Sequence, residues 1–183
     1  MRTSTRRLSI LAGLLLIAGT AAQVVSRADT ARGPAVIGRN APEFAGIDHW
    51  LNGPPLTMQA LRGKVVLVDF WTYGCINCFH TLPHVEAWDK QYGAKGLTVI
   101  GVHTPEFPSE RVTDNVKDAI RRYGIHYPVA QDNQYATWNA YGNQYWPAFY
   151  LVDKKGRIVY THVGEGNYDE TQAWIEKLLA EKG

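Results

Sequence analysis

The two cysteines of the chain, Cys75 and Cys78, are separated by two residues. The apolar, β-branched stretch before them is typical of a buried strand, and the stretch after them has the apolar spacing of a helix. A cysteine at a helix N-terminus has a stabilised thiolate, because free amides and the positive end of the helix dipole favour an anion. Since the thiolate is the form that attacks disulfides, this position predicts a redox-active dithiol.

Two other uses of a cysteine pair have to be weighed against redox chemistry. A structural disulfide between Cys75 and Cys78 would close a very short loop and gain little from chain entropy. A zinc or copper site would have to recruit His80 and His84, but the resulting spacing is not typical of zinc sites. We therefore predict no metal and no cofactor, and we expect both histidines at the surface.

Asp69 is a carboxylate inside an otherwise apolar strand pattern. Burial raises the pKa of a carboxylate and makes it a usable proton acceptor near neutral pH. The alternative is a solvated aspartate at the end of the strand, with no part in the chemistry.

Several motifs in order resemble those of the thioredoxin-like superfamily. Asp69 stands six residues before Cys75 and opens the run D-F-W, Pro83 lies eight residues after Cys75, and Trp146-Pro147 precedes an apolar run. The segments WTYGCINC, VIGVHTPEF and YWPAFYLVD are similar to the TlpA/DipZ-like branch of extracytoplasmic thiol–disulfide oxidoreductases. The resemblance covers residues 40–179.

The resemblance implies a role for each residue of the dithiol site. Cys75 would be the exposed attacking thiolate, and Cys78 would be the shielded thiol that resolves the mixed disulfide. Asp69 would take the proton from Cys78. TlpA-like proteins carry a glutamate in the loop after the next strand, which predicts that Glu106 also lies near Cys78 and works with Asp69 as a coupled pair. The alternative for Glu106 is a plain surface residue.

The resemblance also implies a substrate-binding surface. Pro147 is predicted to follow a cis peptide bond, with the extended backbone at Trp146 offering hydrogen bonds to a substrate strand. The Trp146 side chain would narrow access, stack on substrate or pack on the core. Thioredoxins have a tryptophan directly before the first cysteine, whereas this chain has Gly74, so Tyr73 is the candidate for the aromatic lid.

These features predict a thiol–disulfide oxidoreductase that reduces substrate disulfides, in cytochrome c maturation or in general periplasmic thiol reduction. Its partners would be protein disulfide substrates and a membrane thiol reductase of the CcdA/DsbD type. One alternative is a thiol peroxidase, although Val68 stands where the peroxiredoxin motif has proline and only Thr72 matches it. Another is a non-catalytic metallochaperone or binding module.

The N-terminal segment differs in composition from the rest of the chain. Residues 1–26 combine three arginines with an apolar stretch and are predicted to be a signal peptide or a membrane anchor, with anchoring through residues 8–25. Residues 27–39 are predicted to be a linker, and residues 40–183 a thioredoxin-like domain. The location would be periplasmic or otherwise extracytoplasmic.

The net charge of +2 depends on the N-terminal arginines. Without residues 1–22, 16 basic residues stand against 17 acidic ones, and no basic cluster remains. Nucleic acid is therefore excluded as a partner.

The elements that must position the site follow from apolar periodicity. The predicted strands cover residues 64–71, 97–102, 127–130, 148–152 and 157–163, and the predicted helices cover 76–92, 109–123 with Ser109 as N-cap, 134–141 and 169–180. A β-hairpin is predicted over residues 49–61. The expected fold is α/β, with a mixed central sheet flanked by helices and an N-terminal hairpin extension. The resemblance of the motifs to those of thioredoxins implies that it is a thioredoxin fold.

Overall fold

A computed structural model describes residues 36–182. Its strands are β1 (His49–Leu51), β2 (Val65–Trp71), β3 (Leu97–His103), β4 (Val129–Gln131), β5 (Ala148–Val152) and β6 (Ile158–Val163). Its helices are α1 (Ile76–Tyr92), α2 (Thr113–Tyr123), α3 (Ala136–Ala140) and α4 (Tyr168–Ala180), with 3₁₀ turns at Gly93–Lys95 and Pro108–Arg111.

The six strands form one mixed sheet in the order β1-β4-β3-β2-β5-β6. Strands β2, β3 and β4 run parallel, whereas β1, β5 and β6 pair antiparallel with their neighbours. This arrangement confirms the predicted α/β class with a mixed sheet and flanking helices.

Strand β2 lies inside the sheet, and all seven of its residues are buried. The side chains of Val65, Leu67 and Trp71 enter the core shared with α1, α2 and α4, while those of Val66, Val68 and Phe70 enter the core shared with α3. Because both faces of β2 are covered, its sequence is a continuous apolar run instead of an alternating one. Asp69 is the exception, and it lies at the end of β2 that leads to the cysteines.

The topology brings the dithiol and the predicted proline to one edge of the sheet. Strand β2 ends at Trp71 and α1 begins at Ile76, so the cysteines lie just beyond the carboxyl end of β2. Pro147 directly precedes Ala148, which pairs with Phe70 in β2. The strand–helix junction predicted from the sequence is therefore confirmed.

The predicted hairpin over residues 49–61 is wrong. A single strand, β1, forms there and pairs antiparallel with β4. Asn52 has a φ of 59° and donates from Nδ2 to the carbonyls of Ile125 and Tyr127, which turns the chain away after β1. The following residues Pro54 and Pro55 have no N–H, so they cannot form the ladder of a second strand.

The predicted N-cap of the second helix also differs. Ser109 lies in the 3₁₀ turn Pro108–Arg111, and α2 begins only at Thr113 after Val112. The turn is held by the buried side chain of Glu110, which is described below.

Residues 36–39, which belong to the predicted linker, contact the sheet. Val36 is buried, and backbone hydrogen bonds join Gly38 and Arg39 to Ile158. The predicted signal or anchor over 1–26 and the remainder of the linker lie outside the described residues. Within residues 36–182, no helix has the length and apolar character needed to cross a bilayer.

Candidate active site

Cys75 is the N-cap residue of α1, with extended backbone angles (φ −84°, ψ 116°). Its Sγ accepts a hydrogen bond from the Cys78 backbone N–H at 3.2 Å, as a serine or aspartate would at this position. Cys75 is partly exposed and Cys78 is buried, and both are free thiols. The first cysteine is thus open to a substrate, while the second lies one turn inside.

The two thiols differ in acidity. Hydrogen bonding from the Cys78 side chain is the largest influence on Cys75 and, with the N–H groups of Cys78 and Asn77, lowers the pKa of the Cys75 thiol to about 7 against the opposing effect of burial. Burial raises the pKa of the Cys78 thiol far above its ordinary value, and the bond to Cys75 adds to this. At neutral pH, Cys75 is therefore the more acidic thiol and Cys78 holds a proton.

Asp69 lies within the sheet, opposite Gly101 of β3 and Phe149 of β5. It is 1% exposed, and neither carboxylate oxygen has a hydrogen-bond partner. Burial, and then the negative charge of Cys75, raise the pKa of Asp69 to about 8. Its charge in turn contributes to the raised pKa of Cys78. Asp69 therefore has the electrostatic coupling to the dithiol that a proton acceptor for Cys78 needs.

Glu106 occupies a different environment from Asp69. It is exposed in the loop between β3 and the 3₁₀ turn, and its negative charge raises the pKa of Cys75. The structure thus brings both carboxylates within electrostatic reach of Cys75. It does not bring them into one buried site, because Glu106 is solvated and Asp69 is enclosed.

Tyr73, in the loop that carries Cys75, packs against a buried histidine. The Tyr73 ring stacks on His103 with a centroid distance of 5.7 Å and an interplanar angle of 23°. Burial lowers the pKa of His103 to about 4, despite the opposing charge of Glu110, so this ring is neutral at physiological pH. The Tyr73 carbonyl accepts a hydrogen bond from Tyr123, which ties the loop to α2. Tyr73 is half-buried and packs against the core.

The peptide bond between Trp146 and Pro147 is cis, as predicted. The Trp146 ring is half-buried and packs on Trp138 at a centroid distance of 4.2 Å, so it contributes to the core. The Pro147 carbonyl accepts a hydrogen bond from Gly164.

Two functional candidates were missed by the sequence analysis. Glu110 is 1% exposed and accepts three backbone hydrogen bonds around the dithiol loop. Its place three residues after Phe107, in the first turn of an expected helix, is a signal for capping, but not for burial. Tyr127 is buried with an unpartnered hydroxyl, and the charges of Asp69 and Cys78 add to the burial that raises its pKa. No local pattern identifies Tyr127.

The two histidines of α1 are exposed, as expected. His80 Nδ1 lies 3.2 Å from Glu165 Oε2, and the His84 ring stacks on the Tyr168 ring with a centroid distance of 3.6 Å. Among the residues that the structure describes, no group of three or more His, Cys, Asp or Glu side chains could hold a metal ion.

Comparison with known proteins agrees with this geometry. A family profile, Redoxin, matches residues 37–179. The chain belongs to the Redoxin family. It is 50% identical over 142 residues to the protein DipZ of Mycobacterium bovis, covering 76% of this chain and 20% of DipZ, so the chain spans about a fifth of that relative's length.

A second Redoxin relative is matched over most of its length. The thiol–disulfide oxidoreductase ResA of Bacillus thuringiensis is 30% identical over 143 residues, which is 78% of each chain. Among solved structures, a thiol–disulfide isomerase of Corynebacterium glutamicum superposes with a TM-score of 0.69 at 28% identity, covering 78% of this chain and 99% of that one. With the dithiol in place, this Redoxin protein is thioredoxin-like and is similar to thiol–disulfide oxidoreductases of the TlpA/DipZ-like type.

Proposed function

We propose that this protein is an extracytoplasmic reductant of protein disulfides. The observation that carries the proposal is the place of Cys75 at the N-cap of α1, where hydrogen bonds from Cys78 and Asn77 lower the pKa of its thiol to about 7. Strong thiol oxidants have a far more acidic first cysteine, because a very stable thiolate favours the reduced form of the enzyme. A pKa near 7 is typical of thioredoxin, which donates electrons.

The proposed reaction begins at Cys75. Its thiolate attacks one sulfur of a substrate disulfide, the substrate S–S bond breaks, and the released substrate thiolate takes up a proton. Formation of the mixed disulfide removes the Cys75 charge that helps to raise the pKa of Asp69, and the carboxylate form of Asp69 then accepts the proton of Cys78, whose thiolate attacks the Cys75 sulfur. The second substrate thiolate leaves, and the Cys75–Cys78 disulfide holds the oxidising equivalents: the substrate has gained two electrons and the enzyme has lost two.

The substrate would bind next to the dithiol, between the segment that contains Trp146 and the loop that contains Tyr73. The backbone at Trp146, directly before Pro147, would form hydrogen bonds to an extended substrate segment, with Tyr73 on the opposite loop as a further contact. Glu106, on the solvent side of Cys75, would assist proton movement at the exposed thiol.

The protein would have to be reduced again after each turnover. We propose a membrane thiol reductase of the CcdA/DsbD type as the electron donor, a periplasmic location, and anchoring through residues 8–25 if that segment is retained. Cytochrome c maturation and general thiol reduction are the two proposed settings.

The test of the proposal is the reduction potential of the Cys75–Cys78 couple, measured by equilibration with glutathione or dithiothreitol. A reductant should lie below about −200 mV, on the thioredoxin side of the known range, whereas strong oxidants lie near −120 mV. A value close to the latter would reverse the proposed direction of electron flow.

Trapping separates this reaction from the alternative functions. The Cys78→Ser variant should accumulate a mixed disulfide with a model protein disulfide through Cys75, and Asp69→Asn should slow its resolution in the otherwise wild-type protein. Peroxide consumption that is independent of Cys78 would favour a thiol peroxidase. Full activity without Cys75 would favour a binding module.

A further inference from the structure

The carboxylate of Glu110 joins the two loops on either side of Cys75. Its Oε1 accepts the N–H of Gly74 at 2.9 Å, and its Oε2 accepts those of Glu106 at 2.6 Å and Phe107 at 2.9 Å. The side chain is buried, with the residue 1% exposed. One carboxylate therefore satisfies three backbone donors, one of which belongs to the residue directly before Cys75.

The glycine at position 74 is explained by the same side chain. Gly74 has no positive φ that would call for glycine. A Cβ placed on it would instead fall well inside van der Waals distance of Glu110 Oε1, and it would also contact the Phe107 ring at 3.7 Å. Glu110 thus occupies the space that a side chain at position 74 would need.

The conformation that Glu110 supports bears directly on the reactive sulfur. Cys75 caps α1 because its extended backbone directs Sγ to the Cys78 N–H. The residues directly before Cys75 form a turn in which the Cys75 N–H donates to the Thr72 carbonyl. The N···O distance of 3.4 Å makes this a weak hydrogen bond. The bond between Gly74 and Glu110 at 2.9 Å is the stronger restraint on this turn.

We propose that Glu110 is a positioning residue of the dithiol, which holds Gly74 so that the Cys75 sulfur stays at the helix N-terminus and which fixes the Glu106 loop beside it. The inference rests on the dithiol chemistry of the proposed function but not on the direction of electron flow. It is tested on the thiol alone, without substrate, so a reversed reduction potential would leave it standing.

The sign of the expected effect separates positioning from charge. Removing a negative charge near a thiol, without moving anything, lowers the thiol pKa. Loss of the cap raises it toward the ordinary value of about 8.5. In Glu110→Ala we expect the midpoint of Cys75 alkylation to rise from about 7 by about one unit, which slows iodoacetamide modification at pH 7 about fivefold.

Glu43 offers a matched control. Its carboxylate also accepts two backbone N–H groups, those of Met58 and Gln59, but in the segment that leads into the opposite end of β2. Glu43→Ala should leave the pH profile of Cys75 unchanged even where it lowers stability. If the midpoint of Cys75 alkylation rose in both Glu43→Ala and Glu110→Ala, the cause would be a general loss of packing, and the proposal would be overturned. An unchanged or lowered midpoint in Glu110→Ala would also overturn it.

A second substitution disturbs the contact between Gly74 and Glu110 by changing the glycine. Gly74→Ala should raise the Cys75 midpoint in the wild-type background by displacing the Glu110 carboxylate, and it should add nothing further in Glu110→Ala. Additive effects of the two changes would contradict the proposal. If Glu110→Ala does not fold, Glu110→Gln provides the second background, because its amide can accept at only one of the two oxygen positions.

Discussion

Replacement of Asp69 by asparagine should stabilise the protein and remove part of its pH dependence. Asp69 is buried with no partner for either oxygen, and its pKa is raised from 3.8 to about 8. Between these two values, the folded state holds a proton that the unfolded state has released. Stability from this group therefore falls as pH rises through that window. Asparagine has nearly the same shape and no charge to lose, so the variant should not show this fall.

The magnitude follows from the pKa difference. Each pH unit inside the window changes the free energy of unfolding by about 1.4 kcal/mol, which amounts to about 3 kcal/mol between pH 5 and pH 7. At pH 7 the whole cost of keeping Asp69 in the folded protein is about 4 kcal/mol, an upper bound on the stabilisation by Asp69→Asn. The comparison should stop at pH 7, because Cys75 is about half ionised there and its charge acts on Asp69.

The assay is urea unfolding of the reduced wild-type and variant proteins at half-unit steps from pH 5 to pH 7. Histidines that titrate in this range are common to both proteins and cancel in the difference. The difference in unfolding free energy between Asp69→Asn and the wild type should increase by about 1.4 kcal/mol for each pH unit. Parallel curves would refute the raised pKa of Asp69.

Asp153→Asn is the matched control for the asparagine substitution. Burial alone would raise the pKa of Asp153, but the backbone and guanidinium N–H groups of Arg157 together lower it. A lowered pKa stabilises the folded state at every pH above 3.8, and this contribution is lost only as pH falls below that value. Asp153→Asn should therefore destabilise by an amount that stays constant from pH 5 to pH 7.

Three further predictions concern the thiols and the packing beside Asp69. Iodoacetamide should modify Cys75 with a midpoint near pH 7 and leave Cys78 unmodified in the folded protein, and equal rates would contradict the assignment of roles. Glu106→Gln should lower the Cys75 midpoint, because it removes a charge that raises that pKa; an unchanged profile would place Glu106 outside the site. Gly101→Ala should destabilise by about 1–3 kcal/mol in urea unfolding, because its Cβ would lie 2.8 Å from Trp71 Nε1 and 3.0 Å from the Tyr127 ring. The control, Gly93→Ala, has helical angles and its nearest contact at 3.9 Å, so equal losses in both variants would exclude crowding as the cause.

The elements around the dithiol were predictable because each carries its own local pattern. The apolar run at residues 65–71 reflects burial on both faces, and α1 was predicted over its observed range, Ile76–Tyr92. The place of Cys75 and Cys78 at the junction follows from these two elements alone. The chemistry of the pair was therefore accessible before any tertiary contact was known.

Pairing between distant segments was not encoded locally. The partner of β1 is β4, about 80 residues further along the chain, and only the assembled sheet brings His49 opposite Gln131. The turn residues Asn52 and Pro54 indicated a change of direction, but not which edge of the sheet would accept β1. Strand partners depend on the packing of the whole sheet, so a hairpin was the nearest local interpretation and it was wrong.

The environment of the reactive thiol was decided by tertiary structure. In the sequence, Gly74 stands where thioredoxins have a tryptophan, and Glu110 was not singled out. Folding buries the Glu110 carboxylate against Gly74 and encloses Asp69 within the sheet, between β3 and β5. Residue types and spacing thus determined which atoms react, whereas burial and hydrogen bonding, which arise only from long-range contacts, set the pKa at which they do so.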